Sequence, residues 1–196
     1  MKRKALLIYI IAAVMVLCTV AGATLAYLFV KSETVKNTFT PTDITLELEE
    51  TTGNTYQMIP GVELDKNPKV TASASEGVAY YVYVKIEETA DFATYMEYSV
   101  ASTWSPLVDA NNDGIADNGV YYKGMAAGEK LEGVSVLAGD KVTVKSDVTK
   151  AMMDTLTSGS EPKLTITAYA IQQAGFDDAV AAWPYAYAQS NNPNNP

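Results

Sequence analysis

From residue 78 to residue 87 the chain alternates without a break, and this run constrains the fold more than any other. Val78, Tyr80, Val82, Val84 and Ile86 fall on one side, with Ala79, Tyr81, Tyr83, Lys85 and Glu87 on the other, which is the period-two signature of a β-strand rather than a helix. Shorter stretches repeat the pattern. Ile44, Leu46 and Leu48 alternate with Thr45, Glu47 and Glu49, and Val142, Val144 and Val148 alternate with polar positions. Segments 56–59, 68–74, 96–101, 119–123, 131–136 and 162–171 complete eight or nine expected strands, set apart by turn residues such as Pro60-Gly61 and Thr51-Thr52-Gly53-Asn54.

Such a series predicts an all-β domain over residues 42–188, an antiparallel β-sandwich or jelly roll. Helix is scarce. Residues 149–156 suit two turns, with Ala151, Met152 and Leu156 inward, and residues 176–183 suit a second short helix, with Phe176, Val180 and Trp183 on one side and Pro184 ending it. The Asn- and Pro-rich residues 189–196 are expected to be a disordered tail.

The N-terminus has a different character. Lys2-Arg3-Lys4 leads into an uncharged apolar segment over residues 5–30 that carries Thr24-Leu25-Ala26, the layout of a secretory signal peptide cut between Ala26 and Tyr27. The same stretch exceeds the roughly 20 apolar residues that span a bilayer, so a retained membrane anchor is the alternative. Cys18 follows Leu17, where a lipobox requires a small residue, and reads as one apolar residue among many.

Beyond Ala26 there is no Cys, no His and no Arg; eleven Lys face 23 acidic residues, a net charge of −12 (11 minus 23). Each absence removes chemistry. A disulfide framework is excluded, as are an H-E-x-x-H zinc site and a Ser-His-Asp triad, and so strong an acidic balance disfavours nucleic acid as a partner. Paired carboxylates at Glu87-Glu88 do not restore an enzyme, because neighbours on a strand face opposite sides; Asp177-Asp178 reads as solvated charge.

Several motifs in order carry a family resemblance. Residues 23–28 (Ala-Thr-Leu-Ala-Tyr-Leu), Asn37-Thr38-Phe39-Thr40 and the strand with Asp43-Ile44-Thr45-Leu46 stand at one end; Ile59-Pro60-Gly61 and residues 66–71 follow; residues 168–177 and Ala181-Ala182-Trp183 stand at the other. Together with the Tyr-rich strand they resemble the TasA/camelysin family of exported bacterial proteins. The resemblance implies a jelly-roll subunit of extracellular biofilm-matrix fibres, processed by a SipW-type signal peptidase, with itself and other matrix proteins as partners. It also implies that the segment after the cut, 27–41, completes the sheet of a neighbouring subunit, with Leu28, Phe29, Val30, Val35 and Phe39 as the donor-strand side chains. A first strand of the chain's own domain, or a spacer, is the plainer reading of that segment. The metalloprotease activity attributed to some members does not fit a chain without histidine.

Two features stand apart. Asp109, Asn111, Asp113, Ile115 and Asp117 match the opening of a calcium loop, with Gly114 at the sharp turn, but Val120 stands where the bidentate Glu belongs and no helices flank it. A solvated turn between strands is the competing reading. Thirteen tyrosines, with Tyr81 and Tyr83 expected to point outward, suit a half-exposed sheet face or else a packing or carbohydrate-binding face. The alternative to a fibre subunit is therefore a membrane-anchored surface module that binds calcium or carbohydrate.

Overall fold

The computed structural model describes residues 43–53, 56–108, 119–157 and 159–190. The expected cleavage site Ala26–Tyr27, the donor side chains Leu28, Phe29, Val30, Val35 and Phe39, and the loop residues Asp109, Asn111, Asp113, Ile115 and Asp117 all lie outside these.

The described chain is mostly antiparallel β-structure with few short helices. The strands are β1 (Ile44–Glu49), β2 (Glu63–Asp65), β3 (Lys69–Ala74), β4 (Tyr80–Glu88), β5 (Met96–Glu97), β6 (Ser105–Pro106), β7 (Val120–Met125), β8 (Leu131–Ser135), β9 (Lys141–Val144) and β10 (Leu164–Gln172). They form three sheets in the orders β1-β3-β8, β10-β4-β7-β6 and β2-β9-β5. Three α-helices accompany them, α1 (Phe92–Tyr95), α2 (Lys150–Met153) and α3 (Ala179–Ser190), and a 3-10 turn spans Ala138–Asp140.

β4 is the centre of the fold because both of its faces are covered. Tyr80, Val82 and Val84 are fully buried and Ile86 nearly so, in a core shared with Val70 and Ala72 of β3, Leu131 of β8 and Val142 and Val144 of β9. The alternation thus places its apolar ladder inside, as the period requires. The Tyr80 hydroxyl, at the inner end of the ladder, donates to the carbonyls of Ala72 and Glu129 at 3.0 and 3.1 Å, which satisfies a polar atom that would otherwise be costly to bury.

The other face of β4 corrects a sequence expectation. Tyr83 does not point to solvent: it is fully buried in a second apolar cluster with Tyr169, Ile171, Ala182, Trp183 and Ala186, and Tyr81 is half-buried beside it. The cover is α3. Asp178 starts this helix, its side chain accepting from the Ala181 amide at 2.8 Å. Helix then runs through Pro184 to Ser190 instead of stopping at the proline. Pro184 removes one intrahelical hydrogen bond, an interior cost of about 3 kcal/mol, but buried Ala182 and Trp183 before it and Ala186 after it hold both halves on the sheet. Gln189, expected in the tail, also belongs to the helix.

Other expectations shift by smaller amounts. Residues 56–59 form no strand, and the unforeseen β2 follows the Pro60-Gly61 turn. The strand expected over 96–101 shrinks to the two residues of β5, preceded by α1, whose Phe92 and Tyr95 are buried. Thr149 caps α2 by accepting from the Met152 amide, and Ala151 is exposed rather than inward.

Candidate functional site: an open strand edge and a mixed cleft

The apolar core is closed unevenly. On β1, Ile44, Leu46 and Leu48 face the main core yet are only half-buried, and on β10 the same holds for Leu164, Ile166 and Ala168. Their partners one strand inward, Val70 and Ala72 on β3 and Val84 and Ile86 on β4, are buried. β1 and β10 run near one another, and among the described residues each is bonded to a single neighbour, β3 and β4 respectively. The flank between them therefore combines two one-sided strands with six partly covered apolar side chains.

The edges of the three sheets differ in how they are guarded. β6 has two residues and ends in Pro106, which has no N–H to offer. β8 contains Gly133 at φ 57°, and its pairing with β3 slips between Val70 and Ala72. β2 and β5 have three and two residues. β1 carries Glu47 and Glu49 on its outer face. β10 has none of these devices: its nine residues, LTITAYAIQ, include no charge, no proline and no glycine. A long uncharged edge presents unpaired backbone donors and acceptors, the usual template for another strand.

Aromatic side chains line the strands behind that edge. Tyr83 lies opposite Tyr169 on β10 and Tyr122 on β7, so three phenols cross three strands in one row. Trp183 caps them, with ring centroids 5.2 Å from both Tyr83 and Tyr169, the latter edge-on at 90°. Lys85 completes the row's end, its ammonium 4.8 Å above the Tyr187 ring and 2.8 Å from the Glu87 carboxylate. Glu87 is the main cause of the raised Lys85 pKa, through that hydrogen bond. Burial is the leading cause of a strongly raised Tyr83 pKa, so this phenol remains a donor at any physiological pH. Read as a row, 83, 122, 169 and 183 are legible in the sequence only once the pairing of β4 with β7 and β10 is known.

A cleft of about 370 Å³ opens at the C-terminal end of β4, lined by Glu88, Phe92, Met96, Glu97, Tyr98, Tyr121 and Lys145, with Ala93 and Val100. Across it the Tyr98 hydroxyl donates to Glu88 at 2.7 Å. Burial first and this carboxylate second raise the Tyr98 pKa well above the usual phenol value. The Phe92 and Tyr98 rings meet edge-on at 5.8 Å, and the Lys145 ammonium donates to the Ala93 carbonyl. The sequence did not single out this constellation, because its members come from β4, α1, β5, β7 and the end of β9 with no common spacing.

Among the described residues no cluster of three or more His, Cys, Asp or Glu side chains is arranged to hold a metal ion. No protein-family model matches the chain, and no curated protein or solved structure is significantly similar to it.

Proposed function

We propose that this protein is a secreted structural subunit that assembles by strand addition into extracellular fibres of a biofilm matrix. The observation that carries the reading is the unguarded edge of β10 facing the half-covered core residues of β1. A strand laid along it gains main-chain hydrogen bonds, and its alternate side chains fill the gap over Ile44, Leu46, Ile166 and Ala168. Burying one such aliphatic side chain fully contributes roughly 1.5–3 kcal/mol, so a few donor residues suffice for a durable joint.

The donor in this reading is the segment 27–41, whose Leu28, Phe29, Val30, Val35 and Phe39 supply the apolar content. Cleavage after Ala26 by a SipW-type peptidase frees it. The fold is then a jelly-roll sandwich, and the role is architectural, not catalytic. The ordered motifs that resemble the TasA/camelysin family support the same conclusion, as do the signal-like residues 1–26 and the absence of His, Arg and Cys from the rest of the chain.

The test is the size of the exported protein. Oligomers that resist sodium dodecyl sulfate and disappear on deletion of residues 27–40 are expected; a strictly monomeric processed protein at high concentration would refute strand addition.

A further inference from the structure

The cleft between the end of β4 and α1 lies on neither the open edge nor the aromatic row, and its lining has a chemistry of its own. Two carboxylates, Glu88 and Glu97, and one ammonium, Lys145, stand around the rings of Tyr98 and Tyr121. Glu97 is exposed, whereas Tyr98, Tyr121 and Lys145 are half-buried, so both polar tips and ring surface border the opening.

Charge narrows what such a cleft accepts. Phosphate and other anions meet two carboxylates against one ammonium and are disfavoured. A simple cation meets Lys145, whose position is held by the Ala93 carbonyl, and a purely apolar molecule would strand three charged groups without water. A neutral hydroxylated ring satisfies all of them. Its hydroxyls donate to the carboxylates and accept from the ammonium, while its C–H face lies on an aromatic ring. The volume of about 370 Å³ is at the small end of the ~300–1,000 Å³ typical of ligand sites, enough for one or two rings.

We propose that this cleft binds a neutral sugar unit of a polysaccharide. Glu97 and the free oxygen of Glu88 accept hydroxyl protons, Lys145 donates, and Tyr121 supplies the stacking surface. Tyr98 positions Glu88: its 2.7 Å hydrogen bond fixes one carboxylate oxygen and leaves the other to the ligand. No residue of the site belongs to β1 or β10; Glu88 pairs with Leu164 at the end of β10, whereas Glu97 and Tyr121, the residues the test changes, lie on β5 and β7.

The experiment is saturation-transfer NMR on the full-length protein with methyl glycosides of glucose, galactose and N-acetylglucosamine. Transfer to at least one glycoside is expected, reduced at least fivefold in Glu97→Gln and in Tyr121→Ala and unchanged in Tyr185→Ala, whose exposed ring lies on α3. Glu97→Gln changes an exposed side chain and preserves the fold, so the test does not depend on the tyrosine variant. No transfer to any of the three sugars, equal transfer in Glu97→Gln, or displacement of the sugar by millimolar methylammonium would each overturn the assignment.

Discussion

The Tyr83 phenol donates a 2.7 Å hydrogen bond to the Ala179 carbonyl, tying the central strand β4 to the first turn of α3 across 96 residues of sequence. Tyr83 is fully buried and Trp183 stacks on it from the same helix. One side chain thus ties the helix, whose start Asp178 caps, to the sheet at its first turn.

Replacing that phenol isolates the hydrogen bond. Tyr83→Phe is expected to lower stability by about 1 kcal/mol, a melting shift of roughly 2–4 °C for a domain of this size. Urea unfolding measures it, and an unchanged midpoint would mean that the bond contributes nothing.

Truncating the cap has a larger effect. Trp183→Ala removes a side chain that is 1 % exposed and leaves Tyr83, Tyr169 and Tyr187 without their common neighbour. The expected loss is about 3–5 kcal/mol, read by calorimetry. A loss below about 1 kcal/mol would show that α3 is not part of the cooperative unit.

A backbone prediction concerns Gly119, at the start of β7. Its φ is +82°, and a Cβ there would stand 2.3 Å from the Ile86 carbonyl oxygen. Gly119 also accepts the Ile86 amide at 2.8 Å, so the two segments cannot separate without losing a bond. Gly119→Ala is expected to cost at least about 2 kcal/mol. By contrast Gly77→Ala, at φ +82° with open space, pays only for its left-handed backbone, and the difference between the two denaturation curves isolates the clash.

Alkaline pH should unfold the protein through its buried phenols. Burial raises the pKa of Tyr83 and, with the Glu88 hydrogen bond, of Tyr98 above the ordinary value of 10.0. Because the folded values are raised, the stabilisation is fully present below pH 10, where both states keep the proton. It declines above pH 10 as only the unfolded chain ionises. Each such group lowers stability by up to about 1.4 kcal/mol per pH unit in that window. Lys85, whose pKa is raised chiefly by Glu87, loses its contribution in the same direction. The share of phenolate absorbance that belongs to the buried phenols should appear together with unfolding, and Tyr83→Phe should make the loss of stability with pH shallower.

The sequence carried the strands well where alternation was strong. β1, β4, β9 and β10 fall where their alternation lies, because a sheet face either enters the core or does not, and β3, β7 and β8 overlap the other expected strand segments. It failed at Tyr83, whose neighbours Lys85 and Glu87 suggested a wet face. The apolar stripe Phe176, Val180, Trp183 and Tyr187 needed a surface to cover, and the face that carries Tyr83 supplies it; the link runs through tertiary packing, which no local window contains. Pro184 misled in the same way, since its local cost is outweighed by residues buried against a sheet that lies elsewhere in the chain. The cleft was invisible for a related reason: Glu88, Glu97, Tyr121 and Lys145 converge only through strand pairing and the turn at α1.

The central claim is that β10 receives a strand from another subunit, and cysteine trapping tests it most directly, since the chain has no cysteine after Cys18. Thr165→Cys protein lacking residues 1–26, altered at an exposed position on β10, is mixed under mild oxidation with protein of the same length bearing Val30→Cys, Val35→Cys or Phe39→Cys. At least one mixture should give a disulfide-linked heterodimer and then longer species. If none of the three pairs cross-links while the proteins remain folded, strand addition at β10 is wrong.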